Sequence, residues 1–210
     1  MIIEVNSNFV EVLEIPTKIT GLKYKPQLRN GNDEDWAYFT KHASKEVSDR
    51  NFNIVRDICK NYMTHGIIEI GVSRNQEGSF TYAMLQNKPD DLKYLGIDIE
   101  DKSYLNNVEK NIFTIKENSF NQSEVRSYLD KIGMDKISIL FIDGWHSVNA
   151  CINDWLYSDL LSDNGIVIFH DTNSHPGPRV FIECIDRNQY KVERYFIDED
   201  DYGIGIAYKI

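Results

Sequence analysis

Between Lys136 and Asn173 the chain passes from a short apolar run to a helical pattern of apolar and polar positions and back to a second short apolar run. Ile137 to Ile142 has the length and β-branched content of a strand buried on both faces, and it ends on Asp143. Val148, Cys151, Ile152, Trp155, Leu156 and Leu160 then recur at helical spacing, which predicts a helix from about Ser147 to Leu161. Asn164-Gly165 is expected to stop that helix, and Ile166 to Phe169 reads as a second buried strand ending on His170-Asp171. Two parallel strands joined by a helix carry their C-terminal ends to one edge of the sheet. Asp143, His146, His170 and Asp171 are therefore expected on one rim, where open α/β sheets bind ligands.

The same alternation extends both ways. Ser48 suits an N-cap, and Phe52, Val55, Ile58, Cys59 and Tyr62 give a helical apolar face behind it. Strands are predicted at Ile67 to Gly71, Tyr94 to Asp98 and Ile112 to Ile115, with helices opening near Gly78 and spanning Ser123 to Ile132. After a helix near Arg179 to Asp186 come two β-rich stretches, Tyr190 to Ile197 and Gly203 to Tyr208. The link Asp198 to Asp201 is too short for a crossover, so they form a hairpin. Residues 47–210 thus predict an α/β fold, a doubly wound parallel sheet closing on an antiparallel pair. Residues 1–46 have a different pattern. Ile2 to Val5 and Phe9 to Ile15 suit short strands, and Pro16, Gly21, Pro26 and the polar run Arg29 to Asp35 break any regular element beyond them. With Trp36, Tyr38 and Phe39 this N-terminal extension either packs on the core or forms a lid or acceptor-binding segment over the site.

Composition narrows the partners. The chain has 33 Asp plus Glu against 23 Lys plus Arg, a formal charge of -10, which argues against nucleic acid or an anionic membrane as the main partner. No apolar run approaches bilayer length, and Met1 to Val10 lacks the features of a signal peptide. Cys59, Cys151 and Cys184 are far apart in helical segments and read as reduced thiols, which points to a cytoplasmic protein. Homo-oligomerisation is left open.

The first strand runs into Glu69-Ile70-Gly71-Val72-Ser73 and then, after Arg74 to Glu77, into Gly78-Ser79. Glycine allows close backbone approach to a ligand, and the start of the next helix offers unpaired N–H groups. The spacing is not that of a dinucleotide fingerprint. Asp98, at the end of the second strand, is placed to accept from both hydroxyls of a ribose, or else to cap the following turn. Asn118-Ser119, past the third strand, is placed for contact with a purine ring.

The series EIG…GS, GIDIE, ENSF, FIDGWH…D and GIVIFHD resembles the class I S-adenosylmethionine-dependent methyltransferases. Within them it is similar to the small family 24 type, with the macrocin, mycinamicin and rhamnosyl O-methyltransferases and the cephalosporin hydroxylase type. The resemblance covers about Ile67 to Ile185 and departs in the lengthened loop Arg74 to Glu77. It implies a Rossmann-like sheet of seven strands with the last antiparallel, and S-adenosylmethionine as cofactor. It implies further that Glu69 and Gly71, followed by Ser73, Gly78 and Ser79, line the cofactor together with Asp143, that Asp98 holds the ribose, and that Ser119 lies near the adenine. The implied activity is O-methylation of a small-molecule hydroxyl, with a sugar or glycan precursor as acceptor.

Methyl transfer from a sulfonium depends on alignment, and a hydroxyl acceptor must also lose its proton. The resemblance makes His146 the base and Asp143 its catalytic neighbour, with Asp143, His170 and Asp171 holding a divalent ion, magnesium or manganese. Relatives usually carry an acid where His170 stands, and imidazole favours later transition metals. An unperturbed His146 would titrate near about 6.5 unless the carboxylates raise it. Each residue also has a structural reading: Asp143 and Asp171 as caps, His146 packed beside Trp145, His170 in the core. Asp154 is either a buried orienting carboxylate or a solvated one, while His42, His65 and His175 read as surface residues, His175 with the alternative of touching an acceptor from the Pro-Gly loop. Two other functions compete, a metal-dependent oxygenase of the cephalosporin hydroxylase type and a non-catalytic cofactor-binding module.

Overall fold

The computed structural model describes residues 3–6, 9–11, 20–21, 45–73, 79–173, 175–195 and 201–210. A two-stranded antiparallel piece, β1 (Ile3–Asn6) with β2 (Phe9–Glu11), precedes α1 (Lys45–Tyr62). Next come β3 (Gly66–Ile70), α2 (Phe80–Leu85), β4 (Tyr94–Asp98), β5 (Ile112–Lys116), α3 (Gln122–Lys131) and β6 (Ile137–Ile142). The chain continues through α4 (Val148–Trp155), β7 (Leu161–His170), α5 (Pro176–Cys184), β8 (Tyr190–Tyr195) and β9 (Ile204–Lys209). Seven strands form one sheet in the order β5-β4-β3-β6-β7-β9-β8. The first five are parallel, while β9 runs antiparallel to both its neighbours.

Side-chain alternation explains the double winding. Ile68, Ile70, Leu140, Ile142, Val167 and Phe169 face one way, into a core with Val125, Cys151, Ile152, Trp155 and Phe181 from α3, α4 and α5. Ile67, Ile139, Phe141, Ile166 and Ile168 face the other way, against Val55 and Cys59 of α1 and Met84 of α2. Cys59, Cys151 and Cys184 form no disulfide among the described residues. No helix among the described residues is long and apolar enough to cross a membrane.

Several boundaries move from their expected places. Ser48 lies inside α1, which begins at Lys45, so it is not the N-cap. Ser79 caps α2 by accepting from the Tyr82 amide at 3.2 Å, and Gly78 lies outside the described residues. Ser147 caps α4 in the same manner. The helix does not run to Leu161: it tightens into a 3-10 turn over Leu156–Leu160. Asn164-Gly165 therefore does not end it. Asn164 takes a left-handed conformation (φ 61°) within an irregular stretch of β7, where the register with β6 shifts. Of the N-terminal extension, the Thr20–Gly21 turn docks on the core. The Trp155 indole donates to the Thr20 carbonyl at 2.9 Å and the Asp186 amide to that of Gly21 at 2.8 Å. Trp36, Tyr38 and Phe39 lie outside the described residues.

Candidate active site

The ends of β3, β4 and β5 make the first half of the site. Gly71 has φ +84°, and a Cβ there would lie 2.1 Å from the Asp143 carbonyl oxygen. Glycine is thus required both by conformation and by contact with the turn after β6. Asp98 accepts from the Val72 amide at 2.9 Å and the Glu100 amide at 2.7 Å, one on each oxygen, with Lys102 Nζ at 3.8 Å. It ties the β3 and β4 turns together while keeping spare lone pairs. Glu69 is placed deeper than a lining residue, 1% exposed. It accepts from Thr81 Oγ1 at 2.7 Å and from the Tyr94 hydroxyl, and Thr81 in turn accepts from the Ser73 amide. Burial pushes the Glu69 carboxyl up to about 8, against the pull of those two hydrogen bonds. Tyr94 and Thr81 were not singled out in the sequence, where they read as core and helix positions.

Ser119 sits past β5. Its carbonyl accepts from Tyr157 Oη at 2.6 Å, and its side chain is among the groups that pull the Asp154 carboxyl down. Asp154 resolves to the buried reading, 1% exposed on α4. Desolvation raises its carboxyl to about 7, and Oδ2 is 3.5 Å from where a Gly144 Cβ would stand.

The second half is the rim of β6 and β7. These strands pair in parallel with Ile142 opposite Phe169, so Asp143 and His170 come next at neighbouring positions. Asp171 has φ +59°, and this left-handed turn brings its carboxylate back beside His170. His170 Nδ1 lies 3.2 Å from Asp143 Oδ1 and 3.1 Å from Asp171 Oδ2. His146 Nε2 lies 2.8 Å from Asp171 Oδ2 and 3.8 Å from Asp143 Oδ1. All four expected residues converge. Burial alone would lower the His146 imidazole, but Asp143 and Asp171 outweigh it and raise the ring to about 10. The same carboxylates hold His170 well above its ordinary range, and the two rings hold Asp171 well below the usual carboxylate range despite its burial. Neither His146 Nε2 nor either ring nitrogen of His170 makes an aligned hydrogen bond. The ring nitrogens are close enough for charge pairing but off the N–H direction.

His175 is the expectation that fails. Far from being an isolated surface residue, it stacks on His146 with centroids 4.1 Å apart. Phe80 and Tyr202 flank His170 at 4.6 and 5.5 Å. His65 stays exposed, and His42 lies outside the described residues. The turn carrying Asp171 is clamped from behind: the Thr172 amide donates to Gly203 O, the Asn173 amide to Tyr202 O, and Arg194 Nη2 to Thr172 O. Fully buried Asp201 anchors that clamp to α1, accepting from Arg50 Nε at 3.0 Å and Asn51 Nδ2 at 2.9 Å.

The mixed sheet and its flanking helices are similar in fold to solved methyltransferases. The fold is the Rossmann-like methyltransferase fold. MycE, solved with Mg, S-adenosylhomocysteine and mycinamycin VI, is similar at TM-score 0.54 and 14% identity, covering 81% of this chain and 55% of its own. The chain thus spans about half the length of MycE. An O-methyltransferase from Bacillus cereus, solved with S-adenosylhomocysteine, gives TM-score 0.57 at 13% identity over 82% of this chain and 84% of its own. TomG from Streptomyces achromogenes, involved in tomaymycin synthesis and solved with S-adenosylmethionine, gives 0.53 at 13% identity over 83% and 93%. No protein-family model matches the sequence, and no curated protein matches it.

Proposed function

We propose that the chain is an S-adenosylmethionine-dependent O-methyltransferase acting on a hydroxyl of a small molecule, a sugar or glycan precursor. One observation carries this reading: the Gly71 turn and the Asp143 turn touch, so the pocket edge suited to a nucleoside adjoins a rim of two carboxylates and two imidazoles. In this reading Gly71, with Ser73 and Ser79 beyond it, borders the methionine end, Asp98 accepts from the ribose and Ser119 meets the adenine. Glu69 braces the turn from beneath through Thr81 and Tyr94. The cofactor supplies an electrophilic methyl group; the acceptor oxygen forms the new C–O bond as the S–C bond breaks toward sulfur.

The acceptor's proton must leave, and His146 can take it only as the neutral ring, a state the two carboxylates oppose by raising the ring to about 10. The carboxylates that keep His146 protonated are the same two whose charge a cation would offset. Asp143, His170 and Asp171 suit a divalent ion by an observation independent of likeness: His170 is buried with both ring nitrogens lacking a hydrogen bond. Such an ion would polarise the acceptor hydroxyl. Trp145, 37% exposed beside His146, offers an apolar face to an acceptor, and the net charge of -10 agrees with a small-molecule partner.

The test is calorimetric titration of the purified protein with S-adenosylhomocysteine. Micromolar binding is expected, and none at all would overturn the cofactor reading. The imidazoles at the rim give a metal-dependent oxygenase as the second reading, which oxygen consumption on iron loading would distinguish.

A further inference from the structure

We infer that His170 Nδ1 is a direct ligand in the rim's cation site, which with Asp143 Oδ1 and Asp171 Oδ2 selects a first-row transition-metal dication over magnesium. This rests on reading the rim as a divalent-cation site and names the ion class and the residue that sets it. The three donor atoms are arranged as corners of one coordination shell. Metal–donor bonds of about 2.0–2.2 Å place adjacent donors about 3.0–3.5 Å apart. His170 Nδ1 stands at 3.2 and 3.1 Å from the two carboxylate oxygens.

The backbone enforces that arrangement. Asp143 and His170 continue paired parallel strands, and the left-handed Asp171 returns its carboxylate to the same point. The His170 ring is held between Phe80 and Tyr202. Its side chain is only 9% exposed, yet neither nitrogen makes a hydrogen bond. A histidine serving only as core would have one nitrogen satisfied.

His146 belongs to a second grouping, with Asp171 and His175, rather than to the one with Asp143 and His170. Its Nε2 is 3.8 Å from Asp143 Oδ1, against 2.8 Å from Asp171 Oδ2, and its ring stacks on His175, at the start of α5 beyond β7. The donors set the choice of ion. Magnesium asks for near-octahedral oxygen, whereas imidazole suits zinc, cobalt or iron.

The experiment uses the full chain stripped with chelator. Titration with Mg²⁺ and Co²⁺ should give cobalt the tighter binding by about 100-fold or more. Affinity order alone is common to most nitrogen or oxygen sites, so the deciding readout is Cu²⁺ electron paramagnetic resonance. Nitrogen superhyperfine lines are expected in the wild type, retained in His146→Gln and lost in His170→Glu, where the cobalt-to-magnesium ratio should fall at least about tenfold. Wild-type spectra without nitrogen coupling overturn the inference even if the variants fail to fold. So do lines that vanish with His146→Gln alone, or magnesium binding as tightly as cobalt. If no ion binds, both this inference and the cation reading fall. The cofactor reading is tested separately by the S-adenosylhomocysteine titration.

Discussion

The two halves of the site satisfy their polar groups in opposite ways. At the ends of β3 and β4 each carboxylate has partners within the protein: Asp98 takes two backbone amides, and Glu69 takes Thr81 and Tyr94. At the ends of β6 and β7, two carboxylates and two imidazoles crowd together, and the ring nitrogens nearest the carboxylates make no aligned hydrogen bond. A buried group without its bond costs about 1–3 kcal/mol, so the second half gives up stability that the first half keeps. The first half is a scaffold finished before any ligand arrives. The second is a set of groups held ready for something else.

Substituting at the rim should therefore change rate, and substituting at the turn should change stability or affinity. The largest effect is expected at the rim. His146→Ala should lower single-turnover methylation on the order of 10²–10⁴-fold while leaving the melting temperature and cofactor affinity nearly intact. An unchanged rate with a collapsed melting point would make His146 part of the scaffold and break the comparison. Next comes Gly71→Ala, whose Cβ would meet the Asp143 carbonyl at 2.1 Å. Urea unfolding should show a loss of about 3–5 kcal/mol. Gly133 is the control, because it shares the left-handed conformation (φ +63°) but faces only the mobile end of Lys93. Gly133→Ala should cost only about 1–2 kcal/mol, and equal losses at both glycines would remove contact between the turns as the cause.

Asp98→Ala should weaken S-adenosylhomocysteine by about 2–4 kcal/mol, read by calorimetry. Equal binding would return Asp98 to a purely structural role. The smallest effect lies in pH. Glu69 stands near about 8 when folded against 4.5 as its ordinary value. Between those values the folded state holds a proton that the unfolded chain has released. Stability should therefore fall as pH rises through that window and level off above it. Glu69→Gln should flatten that slope, on the order of 1–3 kcal/mol across the window, in urea midpoints taken from pH 5 to 8. A slope that persists in the variant would assign it to other groups.

Much of this was legible because buried strands are short apolar runs, and β4 and β6 fall on their expected residues. The rim was legible for the same reason: its members stand at strand ends, and parallel topology carries strand ends together. What escaped comes from distant segments or from conformation. Nothing in the local pattern tells that Phe80 and Tyr202 enclose His170, or that His175 stacks on His146. Tyr94 alternates correctly as a core residue, so its hydroxyl's bond to Glu69 leaves no trace in the hydrophobic pattern. Asn164-Gly165 was a sound stop signal read in the wrong element, since an Asn in the left-handed region serves a strand irregularity as well as a helix end. Helix periodicity likewise does not separate α4 from the tighter turn at Leu156–Leu160.

The clamp behind Asp171 has a consequence in time as well as in space. Asp201 reaches back 151 and 150 positions to Arg50 and Asn51, far more than the near-neighbour pairings that build β3 to β5. Closing so long a loop is entropically uphill until the contacts at its mouth form, so this junction is expected among the late events of folding. The β3–β4 turn can then take shape while the rim is still open, and Asp171 is pinned only when the 201–203 segment docks. In pulse-labelled hydrogen exchange during refolding, the amides of Gly71 and Val72 should gain protection before those of Thr172, Asn173 and Gly203. The chain would thus acquire the means to hold a nucleoside before the means to act on anything beside it.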